Sequence, residues 1–175
     1  MSERGYFAIG VYHGKHEVNI GTLLRSAHNF GAAFVFTVGK RYSHQASDTT
    51  KATRHMPLFH FDTFPDLFAH LPFDCQLVGV EQHELALPLP TFHHPERAIY
   101  LLGAEDDGLS KDACDKAHQL VEIPGTARCL NVATAGSIVL YDRIAKAREW
   151  PRVPMAVEHL TANRPVSGGN VDAHA

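Results

Sequence analysis

Residues Val121–Trp150 read VEIPGTARCLNVATAGSIVLYDRIAKAREW. Val121, Glu122 and Ile123 end like a buried strand, Pro124 and Gly125 break it, and a small-residue run of Asn, Ala, Thr and Ser then opens a long helical pattern. The order is strand, loop, helix. The early helix face is small, with Ala133, Ala135, Gly136 and Ser137, and the later part sets Ile138, Tyr141, Ile144 and Ala145 at helical spacing. Small residues there let another backbone or a ligand come close. Taken alone, the stretch describes an ordinary helix packed on a sheet.

Toward the N-terminus the same alternation repeats. Tyr6–Tyr12, Ala33–Val38, Gln76–Val80, Arg97–Leu102 and Leu120–Ile123 read as buried strands. Between them, Asn19–Phe30 places Ile20, Leu23, Leu24, Ala27 and Phe30 on one helical face, with Gly31 at the C-cap and Arg25 off the stripe. Thr63–Leu71 is helical, and Ser110 caps a short helix through Ala117. Thr49–Arg54 is expected as a short helix, Pro57–Phe61 as an apolar return, and Pro88–Pro95 as a proline and histidine loop. Strand, helix, strand in this order implies right-handed parallel crossovers, so the expectation is an α/β domain with a mostly parallel sheet flanked by helices. It covers residues 1–150, and residues 151–175 form a Pro/Gly-rich tail in which Met155–Leu160 can dock on a partner.

A chain of 175 residues suits one domain with a substantial core. Its 16 basic and 19 acidic residues give −3, so global charge makes no case for nucleic acid. Local charge does: from Val38 to His60 the bases Lys40, Arg41, Lys51 and Arg54 face the single acid Asp48, with His44 and His55 interspersed. That segment is either a solvated face or a phosphate-contacting patch. No run of about 18 apolar residues or signal-peptide core is present, and the expected location is cytoplasmic. Cys75, Cys114 and Cys129 lack metal-type spacing and are expected as reduced thiols.

Thirteen histidines raise the question of a metal. His16-Glu17 and His83-Glu84 both begin an HExxH pattern and fail at its last position, at Ile20 and Leu87, so no metal site is expected. GxGxxG and GxxxxGK[ST] are absent, which removes the usual dinucleotide and P-loop readings.

Three stretches remain, each at a strand's carboxyl end, where open α/β sheets bind ligands. They are Asn19 to Arg25 (NIGTLLR), Leu102 to Leu109 (LGAEDDGL), and Ile123 to Ala135 (IPGTARCLNVATA). With Phe30-Gly31-Ala32 after the first, they resemble the three ordered motifs of the SpoU-type RNA ribose 2′-O-methyltransferases of the SPOUT superfamily. The likeness runs from Tyr6 to about Trp150. It implies a C-terminal deep trefoil knot, S-adenosyl-L-methionine held by backbone groups near Val80, Gly103, Ile123, Pro124 and Leu130, and a homodimer whose partner completes each site. Gly103 and Gly108 would be small so that backbone can approach the cofactor. Asn19, Arg25, Glu105 and Asn131 are the implied catalytic residues, with Glu105 positioning Asn19 or Arg25, and Asn131 orienting the ribose or capping the last helix. The substrate is RNA, tRNA before rRNA, contacted by Arg25, Lys40, Arg41, Arg54 and Cys129. Cys129 departs from the family's usual Ser, and a thiol is a weaker hydrogen-bond donor. A guanidinium with a pKa above ~12 is a poor base, so Arg25 is expected as an electrostatic anchor. The alternative is a non-catalytic knotted RNA-binding or assembly protein that keeps the cofactor pocket.

Overall fold

The computed structural model describes residues 5–42, 56–104, 106–125 and 129–147. The expected helix at Thr49–Arg54, the residues Arg54 and Glu105, and the tail from 151 lie outside them. Among the described residues, seven strands and four α-helices follow in order: β1 Tyr6–Tyr12, α1 Glu17–Phe30, β2 Val35–Val38, β3 Leu58–Phe61, α2 Phe64–Ala69, β4 Gln76–Val80, β5 Leu87–Pro88, β6 Arg97–Leu102, α3 Lys111–Lys116, β7 Gln119–Glu122 and α4 Val132–Lys146. They form one sheet in the order β3-β2-β1-β6-β4-β7-β5, and every pairing is parallel. A parallel sheet carries helices on both faces, so its strands read as continuous apolar runs. In β1, Phe7, Ile9 and Val11 pack with Leu23 and Leu24 of α1 and Val139 and Leu140 of α4. Ala8, on the opposite side, belongs to the cluster of Phe64 and Leu67 of α2 and Ala113 of α3.

Several boundaries differ from the pattern reading. Helix α1 begins at Glu17 with His16 as N-cap, so Asn19 lies inside the first turn and its N–H donates to the His16 carbonyl at 3.1 Å. Gly31 does close the helix, at φ 78°. Strand β2 starts two residues late because the Ala33 amide turns to the Phe7 carbonyl, at 2.8 Å. Strand β7 ends at Glu122, leaving Ile123 just past the sheet. The Pro88–Pro95 segment is more than a loop. Leu87–Pro88 adds an edge strand beside β7, where proline's missing N–H is harmless, and a 3₁₀ turn over Leu89–Thr91 tucks in Leu89 and Phe92.

Helix α4 inverts part of the expected pattern. Its buried side is Val132, Ala133, Gly136, Val139, Leu140, Arg143 and Ile144, while Tyr141 and Ala145 face outward. The small stripe serves helix packing: a Cβ at Gly136 would stand 2.6 Å from Cδ1 of Leu23 and 3.0 Å from Cδ1 of Leu102. Ser26 and Ser137 hydrogen-bond at 2.7 Å across the same α1–α4 contact.

The far end of α4 is fastened by a polar chain. Arg143 donates to the carbonyls of Pro95 (2.7 Å) and Glu96 (2.9 Å) and to the Tyr100 hydroxyl (3.0 Å). That hydroxyl meets Nδ1 of His94 at 2.6 Å, whose Nε2 meets Asp142 at 2.8 Å, and Lys146 pairs with the same carboxylate at 2.6 Å. A neutral His94, donating from Nε2 to Asp142 and accepting at Nδ1 from the Tyr100 hydroxyl, satisfies both of its own nitrogens. Burial pushes its pKa down to about 4 despite the carboxylate, and pushes Tyr100 up to about 12.

Candidate active site

Because β6, β4 and β7 are neighbours and parallel, their carboxyl ends reach one edge of the sheet together. A cleft of about 290 Å³ opens there. Its apolar wall includes Val80, Leu102, Ile123, Leu130 and Val132, and its polar wall carries Glu81, Asp106, Asp107 and Glu122. Four of the five residues expected around a cofactor, Val80, Gly103, Ile123 and Leu130, lie on it. Pro124 does not. With β7 ending a residue early, Ile123 takes the wall and Pro124 turns out to solvent.

The loop after β6 is closed on itself by two backbone hydrogen bonds of 3.0 Å between Ala104 and Gly108. Glu81, just past β4, folds in behind it. A Cβ at Gly103 would meet the Glu81 carboxylate at 2.5 Å and the Gly108 carbonyl carbon at 2.6 Å. Gly108, at φ +63°, is equally hemmed in, with Glu81 again at 2.5 Å. Both glycines line the cleft, and their missing side chains also make room for a carboxylate of the chain itself.

Asn131 is the N-cap of α4. Its Oδ1 accepts from the amides of Ala133 (3.0 Å) and Thr134 (3.3 Å), and its Nδ2 donates to Oδ1 of Asn19 at 2.9 Å. The capping expectation holds, and the third motif is tied by a side chain to the first. Arg25 is exposed, on α1 about 9 Å along the helix axis from Asn19. Cys129 is exposed and lines the cleft. The buried Cys75 and half-buried Cys114 are free thiols whose pKa burial raises.

Lys40 and Arg41 are exposed, as a phosphate patch needs. Lys40 Nζ donates to the Lys15 carbonyl at 2.9 Å, and Lys15 itself pairs with Asp106 on the cleft. Lys15 and Glu81 escaped the sequence reading because each stands outside the motifs. Only Lys15's place in the loop after β1 hinted at the rim. Among the described residues, no group of three or more His, Cys, Asp or Glu is arranged to hold a metal ion, and no helix is long and apolar enough to cross a membrane.

The family model of the SpoU rRNA Methylase family matches residues 6–141. The chain is 28% identical over 135 residues to an uncharacterized tRNA/rRNA methyltransferase of Archaeoglobus fulgidus, covering 70% of this chain and 57% of that protein. It is 26% identical over 132 residues to the 23S rRNA (guanosine-2′-O-)-methyltransferase RlmB of Acinetobacter baylyi, covering 71% and 53%. The chain thus spans about half the length of these two relatives. Its fold matches that of an AdoMet-bound rRNA methyltransferase from Sinorhizobium meliloti with a TM-score of 0.70, at 23% identity over 81% of this chain and 56% of the other.

Proposed function

The chain belongs to the SpoU rRNA Methylase family, and from that premise we propose that it methylates a ribose 2′-hydroxyl of RNA, with S-adenosylmethionine as methyl donor. The observation that carries this reading is the Asn131–Asn19 hydrogen bond, which brings the third motif against the first beside a cleft walled by the second. The cleft's chemistry suits the donor. Its volume is near the lower end of small-molecule sites, its wall takes an adenosyl group, and its four carboxylate residues favour a ligand that carries positive charge. When bound, S-adenosylmethionine supplies an electrophilic methyl group on a sulfonium centre.

The chain's own residues do the rest. Backbone groups near Gly103, Ile123 and Leu130 hold the adenosyl part, since backbone donors and acceptors read a base without any charged side chain. Asn131 and Asn19, each fixed by the other, orient the ribose. Arg25 anchors the target phosphate and stabilises the oxygen as it loses its proton. Lys40, Arg41 and Arg54 contact flanking phosphates.

The reading includes a homodimer in the cytoplasm, with Arg25 of one copy at the cleft of the other. Support comes from the packed pair α1 and α4, which leaves Val18 of α1 70% and Tyr141 of α4 55% exposed. It also includes the knot of the family fold, with the segment after β7 threaded through a loop of the chain.

The test is transfer of radiolabelled methyl from S-adenosylmethionine to separated tRNA and rRNA, tRNA first. A 2′-O-methyl group removes the nucleophile of alkaline cleavage, so the product resists alkali at that linkage. Label in an alkali-sensitive position moves the activity to a base. Binding of both donor and RNA without transfer selects the non-catalytic alternative.

A further inference from the structure

Glu81 occupies a position that no ordinary surface acid occupies. It follows the last residue of β4, is half-buried, and lines the cleft. Both carboxylate oxygens are engaged, Oε2 accepting from the Leu109 amide at 2.6 Å and Oε1 from the Gln82 amide at 3.0 Å. The carboxylate also fills the space that side chains at Gly103 and Gly108 would need.

Each contact has a physical reason. Parallel strands end in amides with no strand partner beyond them, and the Ala104–Gly108 pairing uses the loop's own donors and acceptors. Leu109, whose side chain is buried in the core against α3, must still place its amide. A carboxylate is acceptor-only at both oxygens, so it can serve two N–H groups at once. An amide side chain cannot, because one end would present N–H to N–H.

We propose that Glu81 is a positioning residue: it braces the loop of residues 103–109 from behind and thereby sets the wall against which S-adenosylmethionine packs. This rests on the function proposed above, and it adds a residue that none of the three motifs contains.

Two measurements on the full chain separate the two ideas. Amide hydrogen exchange without ligand reads the brace, and calorimetry with S-adenosylmethionine and its demethylated product reads the pocket. Glu81→Gln should make the Leu109 amide exchange faster and weaken both ligands by about tenfold or more, the scale of one lost hydrogen bond to a charged acceptor. The KM for RNA should hold, and kcat at saturating donor should fall by no more than a few-fold. Gly108→Ala should weaken binding on its own and by less in a Glu81→Ala background, where the clash of its Cβ with the carboxylate is gone and only the cost of a left-handed backbone at φ +63° remains. Affinities in Glu81→Gln within twofold of the parent protein, or additive effects in the Gly108 pair, overturn the proposal. Faster exchange at Leu109 in a chain whose parent binds no S-adenosylmethionine keeps the brace and overturns both the pocket-setting role and the proposed function.

Discussion

At the scale of single residues, the site divides into groups that the fold consumes and groups it leaves free to act. Asn131 spends its oxygen on the α4 cap and an amide hydrogen on Asn19, so its orientation is fixed before any substrate arrives. Arg25 is exposed. If its guanidinium holds phosphate and the developing alkoxide, Arg25→Ala should lower kcat by roughly 10²-fold or more, as measured by single-turnover methyl transfer, with donor affinity nearly unchanged. Arg25→Lys should recover little, because a point-charge ammonium cannot reproduce a planar fork. Cys129, exposed on the cleft, is a different case. Cys129→Ser restores a stronger donor at almost constant volume and should preserve or raise turnover; a folded, inactive variant would show that the thiol itself is needed. Motif spacing singled out Asn19, Arg25 and Asn131 as candidates, and the fold joins two of them, Asn19 and Asn131. Glu81 was not legible in the sequence, because its role exists only where the end of β4 meets the 103–109 loop, and no spacing along the chain encodes that meeting.

At the scale of elements, α4 shows what periodicity can and cannot say. Its existence and its Asn131 start were readable, but the face was misread because the residue that lies deepest near its end is a charged one, Arg143, at 5% exposure. Apolar spacing through Tyr141 and Ala145 pointed outward instead, to the side that the proposed dimer would cover. The small stripe has a direct test. Gly136→Val would push two methyls into Leu23 and Leu102 and should cost about 1–3 kcal/mol in denaturant unfolding, beyond any gain from replacing a helical glycine. The polar chain at the other end of α4 has a pH signature. His94 is held near a pKa of about 4 against an ordinary value of 6.5, so between these limits the unfolded chain binds the extra proton and the folded one does not. Its contribution is therefore fully present above pH 6.5 and is lost as pH falls toward 4. Thermal melts across that window should show a steeper decline for the parent protein than for His94→Phe, after each is referenced to its own value at pH 7.

At the scale of the molecule, seven strands meet in an order that the sequence did not announce. Five of them read as buried apolar runs, β3 as an apolar return and β5 as the start of a loop, and such runs do not say which neighbour each will take; β1 lies between β2, its near neighbour in the chain, and β6, some ninety residues away. The alternation that predicted a parallel sheet was sufficient for its class, and insufficient for its order. A composite dimer site can be checked by subunit exchange. Mixing Arg25→Ala chains with Gly103→Trp chains should restore part of the activity, because one site of the mixed dimer then carries neither lesion; no recovery after confirmed exchange would place Arg25 at its own subunit's cleft. The place of β1 also has a consequence for synthesis. Until residues 97–102 leave the ribosome, one edge of β1 has no strand to pair with, and β4 lacks its β6 neighbour too. The nascent chain therefore carries open, apolar strand edges for more than half its length, and closing the sheet depends on distant partners, a topology that folds slowly and invites chaperone engagement.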